Sequence, residues 1–173
     1  MEHPEDAEIS YELLEMYEFS IEYPDEWEVE LGPHSTADAG DLAFKTRGAR
    51  IFLSWGPLQN IRGKFRSLDD QAQGSLKKMG KGGDVRRLEK LDHKEMNVGG
   101  HRSIFDSAKL TLGTGLMAMK TTRREVCSLH FYCEPSQKFF VLYASGIGDG
   151  SLARISDTFF HMSSTLRCHT ERI

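Results

Sequence analysis

The sequence contains no apolar run near the roughly 20 residues that cross a bilayer as a helix. Its first ten residues, MEHPEDAEIS, are acidic and hold no apolar core. They therefore do not read as a signal peptide or lipoprotein leader. Cysteine is scarce. Cys127, Cys133 and Cys168 are an odd number without repeated spacing, which argues against a disulfide framework. Cys127 and Cys133 lie six positions apart in a predicted strand. At about 3.3 Å per residue that is roughly 20 Å, beyond disulfide reach. Reduced, partly buried thiols and a cytoplasmic location are the expectation.

Basic side chains are also missing, but only from one end. No Lys or Arg precedes Lys45, whereas 14 of the 26 acidic residues do. The remainder carries 22 basic against 12 acidic residues, so the net charge of −4 divides into −14 and +10. The total gives no support to nucleic-acid binding, and the split predicts a polarised surface. A composition 39% hydrophobic and 28% charged over 173 residues fits one soluble globular domain. That domain is placed at 11–173, after a polar, flexible lead over 1–10.

Hydrophobic periodicity then supplies the elements. EFSIEYPDEWEVEL, Glu18 to Leu31, alternates apolar Phe19, Ile21, Tyr23, Trp27, Val29 and Leu31 with carboxylates. It predicts a strand pair or bent strand turning at Pro24-Asp25. YELLEMY reads as a helical turn or a lead-in strand. DLAFKTR and ARIFLSW read as short strands meeting at Gly48, while GPLQNIRGKF stays ambiguous. Ser67 and Asp70 open a helix, SLDDQAQGSLKKM, in a variant of the capping box. The segment from Val85 to Leu110 reads as strand, Gly-Gly turn, strand. REVCSLHFYCE alternates, and KFFVLYASG is apolar enough for a sheet centre. SLARISDTFFHMSSTLRC places Leu152, Ile155, Phe159, Met162 and Leu166 on one helix face. Hairpins with one middle and one terminal helix predict an α+β fold: a mainly antiparallel sheet flanked by helices.

YEFSIEYPDEW, the hairpin HFYCEPSQKFFVLYASG and the terminal helix ISDTFFHMSSTLR resemble the PsbP-like/Mog1-like superfamily. The likeness spans roughly residues 16 to 168. It implies a central antiparallel sheet between helices, and usually a binding or scaffolding role. Mog1 proteins bind the Ran GTPase and PsbP stabilises the oxygen-evolving side of photosystem II. No Ran-contact motif maps onto this sequence residue by residue.

Motifs for chemistry are thin. GSLKKMGKGG lacks phosphate-loop spacing and follows a helix instead of a strand. GIGDGS joins a strand to a helix, but Ser151 stands where a dinucleotide motif needs its last glycine. Asp149 or Ser151 is expected to cap that helix. His130, Cys133, His161, Cys168 and His169 show neither CxxC nor HExxH spacing. They read as scattered surface or satisfied side chains, and no metal is expected. No GxSxG or other nucleophile signature occurs.

Two charged surfaces remain. The carboxylates Glu18, Glu22, Glu26, Glu28 and Glu30 suit solvent exposure beside the chain's own basic residues, or a basic protein partner. They lack the spacing of a calcium loop. Lys77, Lys78, Lys81, Arg86 and Arg87 form an alternative basic patch around the middle helix. The expectation is a non-catalytic protein-binding or accessory domain, monomeric or weakly dimeric, with no cofactor, nucleic acid or membrane partner. The alternative is a small-molecule-binding domain or small hydrolase with a pocket between sheet and helix.

Overall fold

The computed structural model describes residues 8–169, so most of the lead expected over 1–10 lies outside the described residues. β1 (Tyr11–Met16) and β2 (Phe19–Pro24) form a two-stranded antiparallel ribbon. β3 (Glu28–Leu31), β4 (Gly40–Thr46), β5 (Ala49–Pro57), β6 (Val85–Val98), β7 (His101–Thr114), β8 (Lys120–Cys133) and β9 (Lys138–Ile147) form a second sheet. Its order is β3-β4-β5-β9-β8-β7-β6, and every neighbouring pair is antiparallel. α1 (Leu58–Arg62), α2 (Leu68–Gly80) and α3 (Ser151–Thr165) complete the fold.

The apolar KFFVLYASG segment is β9, fourth of the seven strands, as its composition predicts. Alternation along β8 divides the two layers. Cys127, Leu129, Phe131 and Cys133 join the main core with Ile155, Phe159 and Met162 of α3. Val126 faces the other way onto Leu76 of α2. A period of two along one strand therefore serves two helices on opposite faces.

Of the two readings of EFSIEYPDEWEVEL, the strand pair does not form and the chain instead bends from one sheet to the other. Trp27 donates its backbone N–H to Pro24 across 2.9 Å in a turn, after which the chain changes sheets. β2 pairs with β1, whereas β3 pairs with β4. The reason is burial: Phe19 and Ile21 pack with α3 and Trp55 in the main core, so β2 lies over the large sheet and not within it. Tyr17 and Glu18, with φ of 48° and 72°, make the tight turn that folds β1 back on β2.

Both longer helices are anchored at their starts. Ser67 Oγ accepts from Asp70 N at 3.1 Å, and Asp70 Oδ2 accepts from Arg66 N at 3.1 Å. The start of α3 differs from expectation. Neither Asp149 nor Ser151 caps it through its side chain. Instead Ser151 N donates to Glu125 Oε1 of β8 at 2.9 Å, within the protein, while Asp149 pairs with Arg123 and Lys109. A buried carboxylate at a helix N-terminus complements the dipole there.

Candidate functional site

The carboxylates that the sequence groups together are parted by the change of sheet. Glu18 sits in the β1–β2 turn and Glu26 in the turn after β2, whereas Glu28 and Glu30 lie on edge strand β3. Glu22 and Glu30 make contacts within the chain. Glu22 Oε2 lies 2.7 Å from His161 Nε2 of α3, and Glu30 pairs with Lys45. That pairing holds the Glu30 carboxyl below its usual range. The acidic face thus leans partly on its own protein.

The alternative basic patch stays together. Lys77 and Lys78 end α2, Lys81 caps it, and Arg86 and Arg87 begin β6. All five are exposed, and among the described residues none forms an ion pair. They occupy the end of the sheet at which the β7–β8 hairpin turns, because Val85 pairs with Leu112 and Asp84 O accepts from Gly113 N at 2.8 Å. The hairpin tip carries Leu116, Met117 and Met119, which are 89%, 87% and 84% exposed. Met117 also has a left-handed φ of 58°.

The opposite end of the sheet gathers thiols and imidazoles. His101 opens β7 after the Gly99-Gly100 turn, Cys133 closes β8, and Cys168 and His169 follow α3. Their four ligand atoms all lie within 4.8 Å of one another. Cys168 Sγ is 3.1 Å from His101 Nε2 and 3.2 Å from His169 Nδ1. Cys133 Sγ is 3.4 Å from His169 Nδ1 and 2.6 Å from Cys168 Sγ. Both cysteines are free and buried. The Cys168 hydrogen bond pulls the Cys133 thiol down to about 5 against the opposing effect of burial, helped by Ser136 and His169. Cys168, facing that sulfur and desolvated, is pushed up. By contrast, burial pushes Cys127 up to about 12, an inert core thiol. Two sulfurs and two imidazole nitrogens converging in this way are the donor set of a tetrahedral metal centre.

Two further polar groupings lie elsewhere. Beneath α2, Ser75 Oγ meets buried His130 Nε2 at 3.2 Å, and Asp106 Oδ1 meets His93 Nδ1 at 2.6 Å. Burial drives His130 down to about 4, although nearby Asp106 works against this. Serine, histidine and aspartate here invite comparison with a nucleophilic triad. However, His130 Nδ1 and Asp106 Oδ2 have no hydrogen-bond partner, and His130 is 1% exposed. The cavity nearest the expected pocket lies on the other face, between the sheet and α3. It holds about 220 Å³, lined mostly by apolar groups including Phe105, Cys127, Ile155 and Phe159. The pocket and the His93–Asp106 pair are therefore separated by the sheet.

No family model and no curated protein matches the chain. Solved structures do. Cyanobacterial PsbP (CyanoP) from Synechocystis sp. PCC 6803 is 11% identical, covers 96% of this chain and 97% of its own, and has a TM-score of 0.64. The Saccharomyces cerevisiae Ran-binding protein Mog1p is 7% identical, with 92% and 96% covered and a TM-score of 0.60. The chain has the PsbP/Mog1-like fold. A Pseudomonas aeruginosa protein of unknown function described as a putative regulator, PA94, is 14% identical, with 91% and 96% covered and a TM-score of 0.52.

Within this PsbP/Mog1-like frame the four-residue cluster is what sequence reasoning missed. His101 was not singled out, and Cys133, Cys168 and His169 read as unconnected because their spacings match no local motif. The available signals were positional. Cys133 ends a strand before a tight turn, His101 follows a Gly-Gly turn, and Cys168 and His169 are adjacent. His130 and His161, read alongside them, lie apart from the cluster: His130 Nε2 meets Ser75 while its Nδ1 is unpartnered, and His161 Nε2 meets Glu22.

Proposed function

We propose that this chain is a non-catalytic, protein-binding accessory domain acting in a reducing compartment such as the cytoplasm, where unpaired thiols persist. It engages its partner through the β7–β8 hairpin tip and the basic side chains beside it. The observation that carries this reading is the near-complete exposure of Leu116, Met117 and Met119. Large apolar side chains clustered at one exposed tip are costly in water and mark interaction surfaces. Methionine adds a flexible contact that adapts to a partner's groove. Lys77, Lys78, Lys81, Arg86 and Arg87 at the same end select an acidic partner and speed encounter. Saccharomyces Mog1p, which shares the fold, is described as Ran-binding, so the fold is compatible with protein recognition. The two charged surfaces weighed from sequence are thereby ranked: the basic end comes first, because part of the acidic face is paired internally.

The small-ligand reading rests on the cavity beside α3. Its volume of about 220 Å³ falls below the roughly 300–1,000 Å³ usual for ligand pockets. The catalytic variant of that reading would draw on His93 and Asp106, which lie on the opposite face of the sheet from the cavity.

The test compares four immobilised proteins at low and high salt: wild type, the Lys77→Glu/Lys78→Glu/Lys81→Glu variant, Leu116→Ser/Met117→Ser, and Glu22→Gln/Glu26→Gln/Glu28→Gln. A protein retained by wild type and lost with the first two variants supports the proposal. A protein retained by both of these but lost with Glu22→Gln/Glu26→Gln/Glu28→Gln moves the surface to the acidic face. Binding of anionic vesicles through the tip, with no protein retained, refutes the protein-partner reading.

A further inference from the structure

We propose that His101, Cys133, Cys168 and His169 bind one Zn²⁺ ion as a closed structural site. Zinc takes four ligands tetrahedrally, with Zn–S near 2.3 Å and Zn–N near 2.0–2.1 Å; ligand atoms then lie about 3.3–3.8 Å from one another. Three of the observed separations, 3.1, 3.2 and 3.4 Å, are within a few tenths of that range. The two sulfurs, 2.6 Å apart, must separate by about 1 Å for this geometry, and all four ligand atoms already lie within 4.8 Å of one another.

The chemistry of the donors selects the metal. Thiolate and imidazole suit zinc, whereas calcium and magnesium require oxygen ligands, and the cluster contains no carboxylate. Four protein ligands leave no position for water or substrate, which distinguishes a structural from a catalytic zinc. The surroundings are arranged in advance. The His101 ring stacks on Phe131 at 5.8 Å and 17°. Arg167, just before Cys168, is fixed by reciprocal 2.9 Å hydrogen bonds with Ser20. Gly99 sits so close to the Leu166 carbonyl that an added Cβ would stand 3.2 Å from its oxygen. Thus three chain segments already meet before metal enters. A surface depression bordered by Asn97, Gly99, Gly100 and Arg167 reaches Cys168 and His169 and provides the route in. Zinc would pin the chain leaving α3 to the ends of β7 and β8.

The experiment uses the full chain purified under reducing conditions. Elemental analysis is expected to find one zinc per chain. After chelation, Co²⁺ titration should saturate at one equivalent, giving thiolate-to-metal charge-transfer bands and the intense visible bands of a tetrahedral site. Cys127→Ser should leave the spectrum unchanged, and Cys133→Ser or Cys168→Ser should remove part of the charge transfer. Should the cysteine variants fail to fold, His169→Ala still tests the site, because that residue is partly exposed near the chain end. It should weaken Co²⁺ binding at least about tenfold, the scale seen even for loss of outer-shell support. Failure to bind Co²⁺ at one equivalent, or a weak six-coordinate spectrum, overturns the proposal. So does unchanged Co²⁺ affinity in folded His169→Ala, or a Cys133–Cys168 disulfide that persists in reductant.

Discussion

Replacing Met117 with glycine should stabilise the protein while weakening its partner. Met117 holds a left-handed backbone, φ 58° and ψ 22°, with its side chain 87% exposed. An L-residue in that region costs roughly 1–2 kcal/mol, and its exposure offers little packing in return. Glycine relieves that strain but has about 0.5–1 kcal/mol more chain entropy to lose on folding. The net gain is on the order of 1 kcal/mol, or roughly 2–4 °C in Tm for a chain of this size. Thermal and urea unfolding of wild type and Met117→Gly at several protein concentrations measures it directly. Partner retention should fall at the same time, because the variant removes one of three apolar contacts. A lower Tm in the variant would refute the reasoning, since Met117 would then be packed in solution. If the wild-type Tm also rose with concentration, the tip would be packing against a second copy of the chain.

The buried His130 imidazole makes stability depend on pH. Its folded-state value of about 4 lies below the ordinary histidine value of 6.5, so its contribution is present above about 6.5 and is lost as pH falls towards 4. About 1.4 kcal/mol per unit makes the full loss about 3 kcal/mol, and the slope of urea midpoints between pH 6.5 and 5 should flatten in His130→Asn. An equally steep slope in that variant would assign the titration to another group. Gly146→Ala would place a Cβ 2.5 Å from the Ser151 Cβ at the start of α3 and should cost about 1–3 kcal/mol by overpacking; a neutral result in chemical denaturation would show that the helix start shifts freely. Glu22→Gln removes one charge from the partly exposed His161 contact and should cost less than about 1 kcal/mol, as read from urea midpoints at pH 6.

Local pattern made most of the architecture readable. The Ser67 cap, the Gly99-Gly100 turn, the α3 stripe and the apolar centre of β9 each state their element through neighbouring residues. What local pattern could not convey was which sheet a strand joins. β2 and β3 have the same alternation, yet Phe19 and Ile21 pack with Trp55 and α3 while Val29 lies on a sheet edge. The cap of α3 was hidden for the same reason, since Glu125 comes from a strand 26 positions away. The cluster of His101, Cys133, Cys168 and His169 is the extreme case: three of its four members meet only through tertiary folding. The exposed tip had a partial signal in the Leu-Met-Ala-Met run, but exposure itself is visible only in three dimensions.

If the tip binds a partner and the far end binds zinc, the two ends of the sheet divide the work, and its edges bear on why. β6 is a 14-residue edge strand, long enough to invite a partner strand. It carries Arg86, Arg87, Glu89, Lys90, Asp92, Lys94 and Glu95, and its register against β7 shifts twice, between Val85 and Arg87 and between Lys90 and Asp92. Charges and bulges are the devices that keep edges from pairing. The other edge, β3, has only four residues. A partner that added a strand would meet guarded backbone on one side and little backbone on the other. On the proposed reading, recognition falls to side chains at the β7–β8 tip. An ion at the far end would hold β7, β8 and the α3 exit together, so the strands that project the tip would be fixed at their bases. Removing zinc should then weaken partner capture even though the metal lies at the opposite end of both strands. Capture that is unchanged in metal-free, folded protein would show that the two ends act independently.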